Sequence, residues 1–532
     1  CRGTLTIWLK GDFIMPEHRY DKADLIERFD GILEKTLGEI DNIGLFDHVQ
    51  EFDLQKGIAG AVIEQCVLGY APDTRQEADI IVVDGGTETK TELKTTGMIW
   101  KERAGDEPAH FVAKEYLSVT AVGIPDLPEQ TFRSSHFFEK IEHLLLVYYH
   151  YLYGRNERIS PYDYRDFPVK GYDLHDMTAD ELQALQADWE KVHALAAEIT
   201  ASVPGVRGTR EWKNAVKEEY IRRHGELRET GNGLQLIDLA PKYPPRFRLK
   251  AQFVSSLIAK RFGYEQTQLP GHYAAMSDID RKCHELTDRY GGKTIEEIAL
   301  SLDLSIDGNG GKNLTEKLIV RMFGGSSGKL NQIDIFRRFG VVAKTVAVTP
   351  SGGRTEDMKL FRIDFRSWMQ EENYDESELN GYLLDTHFLC IIFEEPSPEY
   401  ITDAQTKKKK RKKVPLLSNK FLGFKRFVIP DPMIEIQGKK LWDDTRGKIA
   451  EHTLRDVPTV RGGKPLLLKS GGSSSAPNWM KSSENPIFIR GSAAQSTSKD
   501  KTECVNGIRM LPQYVWLSGT YVTEKLRKTN FL

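Results

Sequence analysis

Six blocks of this chain recur in one order, once in each half, and that repetition limits the fold more than any composition figure does. Lys35-Thr36-Leu37-Gly38-Glu39-Ile40 returns as Lys293-Thr294-Ile295-Glu296-Glu297-Ile298. KGIAGAVIEQCVLG (56–69) lines up with KNLTEKLIVRMF (312–323), both reading as amphipathic helices opened by a lysine. After each helix comes a β-pair carrying an aspartate and then a lysine, Asp79 with Lys94 and Asp334 with Lys344. SSHFFEKIEHLLLVYY then answers to SELNGYLLDTHFLCIIFEE, LQALQADWEKVHALAAEI (182–199) to KLWDDTRGKIAEH (440–452), and PPRFRLKAQFVSSLI to LPQYVWLSGTYVTEKL. Such a chain folds as two copies of one core. Each copy mixes helices with a sheet, a mixed α/β (α+β) architecture, and the joint is placed in a polar stretch bearing Pro and Gly. The expected plan is an N-terminal extension (1–20), a first copy (21–263), a linker (264–277) and a second copy (278–532).

The stretch EADIIVVDGGTETKTELKTTG (77–97) predicts a hairpin, because Gly-Gly is a preferred two-residue loop between β-rich runs. With Gly85 and Gly86 as the loop, Asp84 faces Thr87, Asp79 faces Glu92 and Glu77 faces Lys94. Glu92 and Lys94 share one face of their strand, with the Asp79 Cβ about 5 Å away across the pair. Asp84, at the turn, is about 26 Å along the strand from Glu92 and out of reach. Like charges directly opposed across strands are unfavourable unless something neutralises them, and a divalent cation with oxygen ligands does so. The pattern therefore suggests a metal site, although a solvated hairpin with scattered charges would read the same way.

The two copies differ where this chemistry would lie. Val320 stands in place of Glu64, Val342 in place of Glu92 and Asp385 in place of Lys140, while Asp334 and Lys344 are kept. A hard cation is held weakly without several oxygen ligands. The first copy is thus expected to carry the chemistry and the second to bind or regulate.

Composition excludes little. With 39% hydrophobic and 28% charged residues in 532, the chain is ordinary globular material. No apolar run reaches the length of a membrane span; the best, Leu144 to Tyr149, reads as a buried helix. Five scattered cysteines without a CxxC pair argue against a zinc site or a disulfide scaffold and fit a reducing cytoplasm. A net charge of −3 does not announce a nucleic-acid binder, yet the run from Lys407 to Lys413 is a local basic patch, either a solvated loop or a phosphate contact. GGSSSAP (471–477) reads as a flexible loop. Neither a P-loop nor an HExxH pattern is present, so ATP dependence and a histidine metal site are not expected. The residues before Met15 are left out of the fold argument, since MPEHRYDKADLIERF reads like a natural start.

KGIAGAVIEQ, the Asp79…Glu92-Leu93-Lys94-Thr95 pattern and the closing PRFRLKAQFVSSLIAKRF together resemble the MutH and Sau-three-AI family of GATC-directed DNA endonucleases, over Asp21 to about Gly263 and more weakly from Ser277 to the end. The resemblance implies two tandem restriction-endonuclease-like domains, the second lacking the active site, as in the restriction branch of that family. It implies Mg2+-dependent cutting of both strands of double-stranded DNA 5′ of GATC. It carries Asp79, Glu92, Lys94 and the helix glutamate Glu64 over as the catalytic and metal set, with Lys140 as an accessory lysine. It further implies a bacterial cytoplasmic enzyme without membrane or ATP partners, a monomer that dimerises on DNA, and a cognate methyltransferase as genetic partner.

For DNA reading, Arg246, Arg248 and Lys250 occupy alternate positions of an extended segment and would point to one face, toward groove or phosphate; a charged surface strand would look the same. In the second half FIRGSAAQ resembles the family's base-reading loop, with Arg490 able to contact guanine, although Gly491-Ser492 replaces the usual Pro-Lys. Two DNA-binding domains on one chain raise local concentration, so cleavage helped by a second GATC copy is expected. The competing readings are a mismatch-repair-type nickase and a methylation-sensing DNA-binding regulator that does not cut.

Overall fold

The computed structural model describes residues 18–49, 57–70, 78–102, 108–154, 159–229, 233–240, 243–264, 267–305, 314–326, 330, 333–353, 356–397, 400–402, 409–411, 415–461, 464–465, 474–493 and 497–532. They fall into two compact units, one holding the residues up to Gly97 with Thr131–His150 and Ser160–Met177, the other holding Met98–Gln130, Tyr151–Ile159 and everything from Thr178 on. The split does not follow the expected 264–277 joint: the last third of the first copy is grouped with the second copy.

The first unit is built on a sheet of β1 (Arg19–Asp21), β2 (Ile80–Asp84), β3 (Thr87–Lys101), β6 (His143–His150) and β7 (Val169–Asp176), in that spatial order. Gly85 and Gly86 have φ of +57° and +86°, the left-handed pair that a two-residue turn between twisted strands requires. The β2–β3 register is the one expected, from Asp84 opposite Thr87 to Ile80 opposite Thr91. Asp79 and Glu92 stand one step past that last pair; Glu77 lies outside the described residues.

The run Leu144 to Tyr149 is not a helix. It is the body of β6, and Leu144 through Tyr148 are each at most 1% exposed. A strand flanked by β3 and β7 and covered on both faces has no polar alternation, so its apolar run cannot be told from a buried helix by periodicity.

In the second unit the far end of β3, Met98–Lys101, pairs with β4 (His110–Ala113). A three-stranded sheet places β9 (Arg246–Leu249) between β5 (Leu117–Ala121) and β8 (Ile237–Leu239). A second sheet runs β10 (Val341–Val348), β12 (His387–Glu394), β15 (Lys420–Phe427), and a third places the strand Gln513–Leu517 between β11 (Met358–Arg362) and the strand Ile487–Gly491.

The repeat read from sequence recurs in geometry. The order β10-β12-β15 repeats β3-β6-β7, and the central strand followed by a helix in Arg246–Arg261 repeats in Gln513–Lys528. The paired KT motifs both form capping boxes, Thr36 with Glu39 and Thr294 with Glu297. They dock alike: Leu37 N–H bonds Phe167 O at 2.9 Å and Ile295 N–H bonds Asn419 O at 3.0 Å, while the carbonyls of Lys35 and Lys293 accept from Val169 and Phe421.

Three expectations are corrected in the second copy. Asp334 does not open a β-pair: it starts the helix Asp334–Arg338 and pairs with Arg338 one turn on, at 2.8 Å. A carboxylate at a helix N-terminus next to an i+4 arginine is satisfied locally, and no partner strand is needed. GGSSSAP is not all loop, since Ser475–Pro477 pairs with Asp456–Pro458; Gly471 to Ser473 lie outside the described residues. Within the lysine run, β14 (Lys409–Arg411) pairs with β13 (Tyr400–Thr402), and the remaining lysines lie outside the described residues. No described helix is long and apolar enough to cross a membrane.

Candidate active site

Asp79, Glu92, Lys94, Lys140 and Glu64 all lie in the first unit. Glu92 and Lys94 are two apart on β3, so both project from one face, and the Lys94 Nζ donates to Glu92 Oε1 at 2.5 Å. The second cation arrives from another element. Ser135 caps the one-turn helix His136–Glu139, its Oγ accepting from Phe138 N–H, and Lys140 follows directly at the helix end. From there the Lys140 Nζ donates to both oxygens of Glu92, at 3.0 and 2.8 Å. Lys90, two residues before Glu92, pairs with Glu139 at 3.1 Å and ties the same helix to the same strand.

Glu92 is 1% exposed. A carboxylate so buried is tolerated only when paired and hydrogen-bonded, which Lys94 and Lys140 accomplish together. Asp79 is held by the backbone of the facing strand, its Oδ2 accepting from Leu93 N–H at 2.9 Å. Burial raises the Asp79 carboxyl above its ordinary value and the neighbouring Glu92 charge raises it further; Lys94, Lys140 and the Leu93 N–H oppose them. Those influences place the four charged groups in one cluster, three of them brought together by the β2–β3 register and Lys140 by the helix end.

Glu64 sits in a π-helical turn, Ile63–Leu68, that continues the helix Ile58–Val62. Such turns widen a helix and re-aim a side chain, often at functional sites. Its Oε1 lies 4.0 Å from the point where a Cβ on Gly60 would stand, and Thr95 Oγ1 lies 3.7 Å from that same point. The Glu64 carboxylate is thus near the β3 residue that follows Lys94. Among the described residues no group of three His, Cys, Asp or Glu side chains is assembled.

The donor set suits a hard divalent cation. Asp79 and Glu92 are adjacent oxygen donors, and Asp79 Oδ1 receives no hydrogen bond from the described residues. A Mg2+-class ion takes one or two carboxylates and fills its remaining positions with water and phosphate oxygens.

The expected DNA-reading residues lie in the second unit and do not behave as a set. Arg246 is exposed, its Nε bonded to Ser118 Oγ at 2.9 Å. Arg248 is half-buried, grips Asp238 Oδ2 with Nε and Nη2 at 2.8 and 2.6 Å, and lies 3.9 Å over the Tyr116 ring. Lys250 is 4% exposed and donates to Leu234 O at 2.6 Å, so it is a structural cation and not a surface contact. The three do not share an open face, because the strand ends at Leu249 and Lys250 turns into the helix Ala251–Arg261. Arg490, at the exposed end of its strand, pairs with Asp357 at 2.6 Å and stacks on Trp516 at 3.8 Å. Sequence reading missed two partners of Arg248, Tyr116 far from it along the chain and Asp238 directly opposite it on the neighbouring strand β8.

The family model described as DNA mismatch repair enzyme MutH matches residues 68–188, a span that includes Asp79, Glu92, Lys94 and Lys140 but not Glu64. The chain is 22% identical over 379 residues to the type II restriction enzyme Sau3AI of Staphylococcus aureus, covering 65% of this chain and 67% of that enzyme.

Proposed function

From its similarity to MutH and to Sau3AI, we propose that this chain is a DNA endonuclease of the restriction type that hydrolyses phosphodiester bonds of double-stranded DNA at a GATC-type site. The observation that carries the reading is the convergence of Lys94 and Lys140 on buried Glu92 beside Asp79. Hydrolysis needs an aligned water, neutralisation of the charge that develops on the phosphate, and help for the leaving 3′ oxygen. Asp79 and Glu92 would hold Mg2+, which when bound supplies Lewis-acid polarisation of the phosphate and a more acidic water. Lys94, held beside the acids, orients the attacking water and donates to the phosphate as charge accumulates. Lys140 gives the buried Glu92 carboxylate a second hydrogen-bonded counter-charge and adds positive potential to the same face. Glu64 would anchor a water on the helix side.

The second copy lacks this set, with Val342 on β10 and Asp385 at the helix end where the first copy has Glu92 and Lys140, and is proposed to bind DNA as an effector. One competent site per chain means that two molecules meet at a site or that one nicks each strand in turn.

The test is purified protein with Mg2+ and unmethylated plasmid, beside a Glu92→Gln variant, with the ends sequenced. Double-strand ends at GATC from the unaltered protein alone are expected; no cleavage at any enzyme concentration would sink the reading. The match to MutH favours a nicking enzyme as the second reading, and single-strand breaks alone would select it.

The acid limb of the rate follows from Asp79. Its folded-state pKa is raised, so on acidification it takes up a proton, and loses its place as a cation ligand, at a higher pH than an ordinary aspartate. kcat/KM is expected to fall on the acid side at a higher pH than an ordinary aspartate would give. A limb at the ordinary aspartate value would show that Asp79 does not limit the rate.

A further inference from the structure

Asp385 occupies the place in the second copy that Lys140 occupies in the first, the end of a short helix leading into the central strand of its sheet. Lys140 turns inward to a glutamate on its own sheet, but the corresponding strand position is Val342, so Asp385 has no such partner there. Its Oδ2 instead accepts from the phenol of Tyr116, a residue of the first copy, at 2.6 Å. Asp385 is 5% exposed, and a buried carboxylate that accepts a short hydrogen bond is a strong fixed point. Burial and the carboxylates of Asp385 and Asp238 hold the Tyr116 phenol well above its ordinary pKa, so it remains a donor.

The contact continues to Arg248 on β9, the central strand of its sheet, whose side chain is 22% exposed. The Tyr116 ring, just before β5, carries the Arg248 guanidinium on its face at 3.9 Å, and Asp238 on β8 fixes the same guanidinium by two bonds. A guanidinium stacked on one side and clamped in its plane on another keeps little rotamer freedom. Behind it the helix end is fixed too. Gly340 has a φ of +64°, and a Cβ there would stand 2.6 Å from the Asp385 carbonyl oxygen, a closeness that only glycine permits.

We propose that Asp385 is a positioning residue for DNA binding: the lost catalytic position of the second copy holds Tyr116, and Tyr116 presents Arg248 of the first copy to DNA. The inference rests on the nuclease reading above and adds to it a route by which the second copy sets the grip of the first. Arg248 is the group that would touch phosphate or base; Tyr116 and Asp385 act through it.

The test measures binding of a GATC duplex by fluorescence anisotropy without Mg2+, together with cleavage kinetics, for the unaltered protein, Tyr116→Phe, Asp385→Asn, Arg248→Ala and the Tyr116→Phe/Arg248→Ala double variant. Tyr116→Phe removes one hydroxyl and keeps the ring, so folding is retained, which the melting curve checks. Affinity is expected to weaken about tenfold, with KM rising and kcat held. The double variant should bind no more weakly than Arg248→Ala alone, because the phenol acts only through the arginine. Asp385→Asn keeps an oxygen that can accept the bond and should retain most of the affinity of the unaltered protein. Unchanged affinity in Tyr116→Phe, or full additivity in the double variant, overturns the inference while leaving the nuclease reading intact. Failure of the unaltered protein to bind or cut duplex DNA would overturn both.

Discussion

Replacing Asp79 by Asn is expected to lower cleavage by about 10^3-fold or more while raising the melting temperature. The loss follows from the geometry: the amide still accepts from Leu93 N–H but brings no charge to the cation position proposed beside Glu92. The gain follows from linkage. A folded-state pKa raised above the unfolded value makes a stabilising contribution that is full at low pH and lost as pH rises through the folded pKa. At neutral pH the ionised Asp79 therefore works against folding, and Asn removes that cost. Such opposition between stability and activity is usual where charges are kept for chemistry. Calorimetry without and with Mg2+, beside plasmid cleavage, checks both parts. A lower melting temperature with activity lost would mean that Asp79 holds the hairpin together and would remove its assignment as a site strained for function. Glu92 should behave in the opposite way on folding, because its removal leaves Lys94 and Lys140, with side chains 19% and 13% exposed, without their shared counter-charge.

Asp188→Ala should cost about 3–5 kcal/mol of stability in the second unit, the largest structural effect of any single change considered. Asp188 is fully buried in the helix Ala179–Ser202 and accepts from the backbone N–H groups of Gln235, Leu236 and Ile237, at 2.8, 2.7 and 3.1 Å. Ile237 begins β8, so this one carboxylate anchors the strand that carries Asp238 and thereby the clamp on Arg248. Alanine strands three buried donors and takes a counter-charge from Lys191 and Lys250. Asn at the same position still offers one oxygen and should cost less. Urea unfolding followed by tryptophan fluorescence reads the difference, and a loss under about 1 kcal/mol would show that water replaces the carboxylate.

Much of the site could be read from one dimension because its geometry is local. A Gly-Gly loop sets the register of its two strands, and register alone puts Asp79 opposite Glu92 with Lys94 on the same face. Lys140 and Glu64 needed the resemblance, since nothing in their own helices says which strand they meet. Lys140 does reach Glu92; Glu64 is placed beside β3 by a π-turn that no sequence pattern announced. The strand Arg246–Leu249 shows the limit from the other side. Alternation correctly separates Phe247 and Leu249, both buried, from the arginines, yet it cannot see that Lys250 leaves the strand for a helix cap or that Arg248 is fixed in place by Asp238 and Tyr116.

By itself the sequence determined the duplication, the hairpin, and the loss in the second copy of the residues at the first copy's charged cluster, because each depends on order, periodicity and residue identity over short distances. Only the tertiary structure decided that the apolar run of β6 is a central strand, that Asp334 opens a helix, and that Asp385 turns to Tyr116. Those outcomes depend on which faces are covered and which charges find partners hundreds of residues away. A buried polar group must pair wherever the fold provides a partner, and the chain's local pattern does not record where that will be.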